Sequence, residues 1–288
     1  MSIINFFKLL RIHQWSKNIL IFLPAIFAHE LFLNNNYNKL FIVFILLSLT
    51  ASSIYIFNDI IDLEKDQKHK YKSLRPIASK LISVRVAFFT ALSFMLVALA
   101  FSYFIDINLV YLLLIYIFAN ILYSYIFKNI LIFDCFLLSL FYVFRISIGG
   151  ILTDIYLSFW LLSFSFFAFL SLSFLKRFAD INLLSQDNKD LRIYKVEHLN
   201  LIRIFGINSF YISAIILILY FNSNNILELY SFHYLLWIIV IFYFLYMHRI
   251  WIVFNSISLD DDIVKYVITD PLLYIIAFIS ILILIFSI

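Results

Sequence analysis

Nine stretches of this chain are long and apolar enough to cross a bilayer as helices, and that pattern leaves few folds open. They fall at about 18–34, 40–58, 81–105, 108–127, 130–152, 156–176, 200–221, 232–254 and 268–288, each near or above the roughly 18 residues that span ~30 Å of hydrocarbon. Pro24 interrupts the first and the second ends among acids, so their limits are the softest. Helices are the expected spanning form, because lipid offers the backbone no hydrogen-bonding partners. A transmembrane barrel would alternate apolar and polar residues, and the run Ile281-Leu282-Ile283-Leu284-Ile285 does not. Composition points the same way: 65% of the 288 residues are apolar and 13% charged, against ~45–50% and ~25% in soluble domains. One cysteine and three glycines argue against a disulfide framework, a zinc knuckle and a collagen repeat. The expected architecture is an all-α, polytopic membrane bundle of about nine helices forming one domain over 1–288, with no part in nucleic-acid binding.

The charges are sorted by side. The N-terminus and the loops after spans 2, 4, 6 and 8, with their adjoining span ends, hold 19 of the 21 Lys and Arg residues. Only Lys39 and Arg145 lie elsewhere. The positive-inside rule then places the N-terminus in the cytoplasm and, with nine spans, the C-terminus outside. Lys8, Arg11 and Lys17 precede an apolar stretch, but no small-residue cleavage site follows, so a signal peptide is not expected. The net charge of +4 is concentrated on one face, where it attracts anionic lipid or anionic substrate. Two cytoplasmic loops, about 59–80 and 177–199, are long and dense, with 8 of the 17 acids and 10 of the 21 bases between them. A tether needs only a few residues. Chemistry is therefore expected at these loops.

The first loop opens Asn58-Asp59-Ile60-Ile61-Asp62-Leu63-Glu64-Lys65-Asp66. On a helix continuing span 2, at about 100° per residue, Asp62, Asp66 and Asp59 fall near ~40°, ~80° and ~100° from Asn58, and Glu64 near ~240°. One amide and three carboxylates share a face. Like charges so placed repel unless a cation joins them, and Mg²⁺, held by carboxylates together with a substrate diphosphate, suits the set. The alternative is an acidic, solvated helix end pairing with Lys65, Lys68 and Lys70. Lys72 and Arg75 follow, either as phosphate-binding cations, Arg75 bidentately, or as ordinary positive-inside residues. The second loop opens Lys176-Arg177-Phe178-Ala179-Asp180, which on a helix lets both bases and the acid face one way. It is either a salt-bridged helix end or a cationic arm facing the first cluster across a cytoplasmic cavity; Arg192, Tyr194 and Lys195 follow it. Before span 1, Arg11 and Trp15 read as an interfacial anchor, while Gln14, Lys17 and Asn18 are more polar than an anchor requires. Within span 5, Asp134 and Arg145 are expected to face the bundle interior, too far apart to pair. For Arg145, a structural ion pair and a substrate role stay equally open.

These residues resemble the UbiA superfamily of membrane prenyltransferases, on the strength of nine spans with N-D-x-x-D-x-x-x-D after the second. The likeness is nearest to its decaprenyl-phosphate phosphoribosyltransferase branch: Arg11 with Gln14-Trp15-Ser16-Lys17-Asn18; Tyr55, Asn58, Asp59, Asp62, Asp66, His69, Lys72 and Arg75-Pro76-Ile77-Ala78-Ser79; Tyr123-Ser124 with Lys128; Arg145 with Gly149-Gly150; Lys176-Arg177-Phe178-Ala179-Asp180; Arg192 and Tyr194; Arg249 and Asp270. Lys70 stands where that branch usually has Pro, Lys80 where it has Gly, and Asp180 where Glu is common.

The resemblance implies an all-helical bundle in a bacterial inner membrane, open to the cytoplasm and laterally to lipid. It implies Mg²⁺ held by Asn58, Asp59, Asp62 and Asp66, and phosphoribosyl pyrophosphate and a polyprenyl phosphate as substrates. Gln14, Lys17, Asn18, Lys72, Arg75, Lys128, Arg145, Lys176, Arg177, Asp180, Arg192 and Tyr194 become the expected substrate contacts. The lipid phosphate would attack C1 of the ribose and expel pyrophosphate, with no base required because the nucleophile is already anionic. The rival within the superfamily is an aromatic prenyltransferase, which usually carries a second D-x-x-x-D in the second loop, where this chain has Lys176-Arg177 beside one Asp180. A lipid or ion transporter would need paired polar sites near the midplane, toward which only Asp134, Arg145 and Gly149-Gly150 point.

Overall fold

The computed structural model of the chain describes residues 3–33, 35–68, 72–185, 193–223, 226–227, 230–256, 266 and 269–287. Every extended element among them is helical. In chain order they are α1 (Ile3–Leu10), a 3₁₀ segment (Ile12–Phe22), α2 (Leu23–Phe27), α3 (Asn36–Ile61), α4 (Leu63–Gln67), α5 (Val84–Ile105), α6 (Ile107–Tyr125), α7 (Phe133–Thr153), α8 (Phe159–Ser185), α9 (Leu199–Phe221), α10 (Leu236–Ser256) and α11 (Pro271–Ser287). Seven helices among the described residues are long and apolar enough to cross a membrane. Two of the nine expected spans depart from a single long helix. The last helix, Pro271–Ser287, has 17 residues, or ~25 Å at 1.5 Å per residue. The first expected span is no single helix: the 11-residue 3₁₀ segment gives way to five residues of α-helix with Pro24 at its start. A 3₁₀ run of that length is unusual, since its hydrogen bonds are poorer than those of an α-helix.

The chain divides into two compact units: Met1–Phe127 with Phe144–Leu157, and Lys128–Val143 with Ser158–Ile288. In the first, α3 and α5 pack together, and the sequence of α5 says how. Ala87, Ala91, Ala98 and Ser102 are its buried positions, spaced to lie along one stripe of a helix. Small side chains let two backbones approach, which is how helices gain packing energy in lipid, where burial of apolar surface supplies little. Phe89 and Phe104 on the opposite face are exposed, as is Phe101 at the edge of the stripe, as suits contact with acyl chains. Ser83 caps the start of α5, accepting from Val86 N–H at 3.4 Å. Asp106 does the same for α6, accepting from Asn108 N–H at 2.9 Å while Lys39 donates to it at 3.1 Å.

The second unit is built on α8 and α9, with Phe174, Phe178, Phe210 and Trp251 in its core. Gly206 admits the Trp251 ring, because a Cβ there would lie 2.4 Å from the ring's far end. Trp251 Nε1 also donates to Ser171 Oγ at 3.1 Å.

Candidate functional site

Helix α3 does not run through the acidic motif. It ends at Ile61, Asp62 takes a non-helical conformation (φ −88°, ψ 10°), and α4 begins at Leu63. The expected continuous helix face is thus replaced by a break at the middle aspartate, bridged by backbone hydrogen bonds from Asp62 N–H to Asn58 O and from Asp66 N–H to Asp62 O, both 2.9 Å. Asp59 and Asp66 still come together. Each is 4% exposed, and both accept from the same nitrogen, Arg75 Nη1, at 3.0 and 2.6 Å. Arg11 donates a second hydrogen bond to Asp59. Asn58 and Asp62 are half-buried, and Glu64 is exposed.

Arg11 itself has a left-handed backbone (φ 51°), an uncommon conformation for a residue with a side chain, of the kind that concentrates at functional sites. Its guanidinium lies 5.3 Å from the centre of the Tyr55 ring. Arg11 and Trp15 also tie the N-terminal segment to α3: Arg11 bonds to Asp59, Trp15 Nε1 donates to Ser52 Oγ at 2.9 Å, and Ser52 donates to Leu10 O at 2.8 Å. The signal for this was the spacing of small hydroxyl residues, Ser48, Ser52 and Ser53, along an otherwise apolar helix.

The donors around Asp59 and Asp66 are carboxylate and amide oxygens, the set a hard divalent cation takes. Among the described residues no three His, Cys, Asp or Glu side chains form a ready-made cage. That agrees with Mg²⁺, which is commonly held by one or two carboxylates together with substrate phosphates. Two nearly buried carboxylates converging on one cationic nitrogen form a position built for positive charge. The residues present fit the ion.

Asn18 and Arg145 also meet. Arg145, 4% exposed, donates from Nε to Asn18 Oδ1 at 2.8 Å and from Nη2 to Tyr116 Oη at 2.6 Å. Asn18, 1% exposed, donates onward to Ser48 Oγ at 2.9 Å. Four residues along α7, Gly149 lies so close to the 3₁₀ segment that a Cβ would sit 1.9 Å from Ile21 O. The face of α7 carrying Arg145 and Gly149 therefore seats the segment bearing Gln14, Lys17 and Asn18. Of these, Gln14 is buried and Lys17 half-buried. Tyr116 was not legible as a partner: a tyrosine in an apolar run carries no mark of it.

In the second unit, Asp134 is 1% exposed and takes Arg177 Nε at 2.6 Å and the Tyr194 hydroxyl at 2.6 Å. Arg177 Nη1 also donates to Asp180, at 3.1 Å. Asp134 and Arg145 are each buried, as expected, and each is satisfied within its own unit. Tyr194 accepts in turn from Ile132 N–H at 3.0 Å. Burial, with Cys135 and Asp134 beside it, raises its phenol pKa above the usual value, so it acts as a hydrogen-bond donor and not as an anion. Lys176 is exposed, and Lys72 and Lys128 are half-buried. Arg192 lies outside the described residues, as do His69, Lys70 and Tyr71.

Residues 19–282 match the family model described as "UbiA prenyltransferase family". An uncharacterised protein of Sinorhizobium fredii is 29% identical over 265 residues, covering 91% of this chain and 51% of that protein. The decaprenyl-phosphate phosphoribosyltransferase of Mycolicibacterium smegmatis is 30% identical over 189 residues, 64% of this chain and 59% of that enzyme. The chain thus spans between half and two-thirds of the length of these curated relatives. Among solved structures, a UbiA homolog from Archaeoglobus fulgidus bound to GPP and Mg²⁺ has a TM-score of 0.69 at 17% identity, covering 98% of both chains. That likeness is one of fold.

Proposed function

Because the chain belongs to the UbiA prenyltransferase family and is an integral membrane protein by its apolar helices, we propose that it transfers phosphoribose from phosphoribosyl pyrophosphate to a polyprenyl phosphate, at the cytoplasmic face of the membrane. The observation that carries this is the meeting of Asp59 and Asp66 on Arg75 Nη1 at 3.0 and 2.6 Å. An acidic pair already holding one cation is a place for a metal-borne diphosphate with arginine beside it. The relative from Mycolicibacterium smegmatis bears the name of this activity, and the Archaeoglobus fulgidus homolog is described as bound to GPP and Mg²⁺.

Asp59 and Asp66, with Asp62 at the helix break and Asn58 one turn before it, would hold Mg²⁺. Bound there, it would neutralise charge developing on the departing pyrophosphate. Arg75 is half-buried with its guanidinium fork at the carboxylates, placed to bind phosphate oxygens bidentately. Arg11 keeps Asp59 oriented. Lys72, Lys128 and Lys176 are each assigned to substrate phosphates, as the resemblance implies. Gln14, Lys17 and Asn18 stand on the segment that Arg145 and Gly149 seat, and are assigned to substrate positioning. Arg177 and Asp180 are likewise assigned to the substrate, with Arg177 held in place by Asp134 and Asp180. No group in this scheme removes a proton from the nucleophile, so rate enhancement rests on orientation and electrostatics.

The test is Mg²⁺-dependent pyrophosphate release from phosphoribosyl pyrophosphate in membranes supplied with polyprenyl phosphate. Asp62→Ala and Asp66→Ala are expected to abolish it. Full activity in both variants would sink the assignment of the metal site.

A further inference from the structure

A second charged site lies in the unit that lacks the aspartate motif. Helices α9 and α10 leave a cavity of about 270 Å³ between them, lined by Arg203, Phe210, Tyr211, His248, Trp251 and Ile252. Its floor is the Trp251 ring, admitted by Gly206 and fixed by its bond to Ser171. Its polar wall is also fixed: His248 Nδ1 donates to Phe244 O at 2.7 Å, and its Nε2 lies 3.1 Å from the Tyr211 hydroxyl, so that both ring nitrogens are engaged. Arg203 differs. It is exposed, stands within the candidate span Val196–Phe221, and has no hydrogen-bond or ion-pair partner among the described residues.

An arginine within a span needs an anion or a route to water. Basic pockets between transmembrane helices on the cytoplasmic side bind anionic lipid head groups. Arg203 stands about seven residues from the start of its span, on the side that gathers 19 of the chain's 21 bases. The aromatic and aliphatic walls suit the upper part of an acyl chain, and the cavity is smaller than the ~300–1,000 Å³ that encloses a whole drug-sized ligand. We propose that this groove binds an anionic glycerophospholipid of that leaflet, its phosphate on Arg203 and its first methylenes against Trp251 and Phe210. The site stands apart from the transfer reaction, and neither depends on the other.

Trp251 reports occupancy directly. In a chain whose Trp15, Trp160 and Trp237 are replaced by Phe, reconstituted with brominated lipids, Trp251 fluorescence should be quenched at a several-fold lower mole fraction of phosphatidylglycerol than of phosphatidylcholine. Arg203→Gln should erase that preference. Native mass spectrometry of the wild-type chain and Arg203→Gln, counting retained phosphatidylglycerol, gives the same comparison without the tryptophan substitutions. Equal quenching by both lipids, or a preference that survives Arg203→Gln, overturns the proposal. So does relief of quenching by equimolar polyprenyl phosphate, which would make the groove a seat for the isoprenoid lipid.

Discussion

Asp59 and Asp66 accept hydrogen bonds from one nitrogen of Arg75, at 3.0 and 2.6 Å, although the chain between them breaks from helix at Asp62. The shared cation offsets the repulsion of two carboxylates held together in a nearly buried position. Arg75→Gln removes it and should lower stability by about 1–3 kcal/mol in metal-free conditions. If the carboxylates form a metal position, Mg²⁺ will then raise the melting temperature of Arg75→Gln more than that of the wild type, because the ion binds only the folded state. Thermal unfolding in detergent, with and without Mg²⁺, checks this. An equal shift in both proteins would count against the metal position.

Asn18 and Arg145 stand 127 residues apart in sequence and 2.8 Å apart at Oδ1 and Nε. A double-mutant cycle with Asn18→Ala and Arg145→Met should give a coupling energy of about 1 kcal/mol, within the range found for residues sharing a polar network. Additive losses would show that Arg145 is held by Tyr116 and its other neighbours alone.

Gly149 and Gly206 predict a ranking. A Cβ at 149 meets the backbone oxygen of Ile21 at 1.9 Å, which cannot yield without moving the whole N-terminal segment. One at 206 meets the end of the Trp251 side chain at 2.4 Å. Gly149→Ala should cost about 3 kcal/mol or more, and Gly206→Ala nearer about 1–2 kcal/mol, as strain from overpacking. The order of their melting temperatures decides it.

How much of this was legible beforehand depends on the reach of each signal. Long apolar runs mark helices locally, so the stretches at 81–105 and 130–152 appear as Val84–Ile105 and Phe133–Thr153. The run at 156–176 extends to Ser185 because Lys176–Asp180 continues the helix in polar residues, which hydropathy cannot count. In the first stretch Pro24 marked the interruption, but the 3₁₀ form and its seating on Gly149 are tertiary facts with no local trace. The aspartate motif was legible as a cluster, and its partner Arg75 as a nearby base. The break at Asp62 was not, since nothing in Ile61-Asp62-Leu63 forbids a helix. Arg177 was legible and its partner Asp134 was visible as a charge in a span, but 43 residues separate the two and no pattern joins them.

Asp106 should make a small, pH-dependent contribution to stability. Burial acts to raise its pKa, but the Asn108 amide and Lys39 outweigh this and hold it below the ordinary aspartate value. A carboxyl lowered on folding stabilises above its unfolded pKa, and loses that contribution as pH falls through the lower folded value. Asp106→Asn keeps an acceptor for the Asn108 amide and removes the charge. It should lower stability by a fraction of ~1 kcal/mol at pH 6, as expected for a pair that water still reaches, with the difference shrinking as pH falls through the folded value. A difference that persists at low pH would assign the effect to the cap and not to Lys39.

The central claim is the identity of the transferred group, and a paired-substrate assay on the purified chain in Mg²⁺-containing proteoliposomes tests it most directly. Supplied with phosphoribosyl pyrophosphate and polyprenyl phosphate, the protein should release pyrophosphate and form a lipid-linked phosphoribose, with both products lost in Asp66→Ala. Consumption of a prenyl diphosphate with an aromatic acid, and indifference to phosphoribosyl pyrophosphate, would contradict the claim.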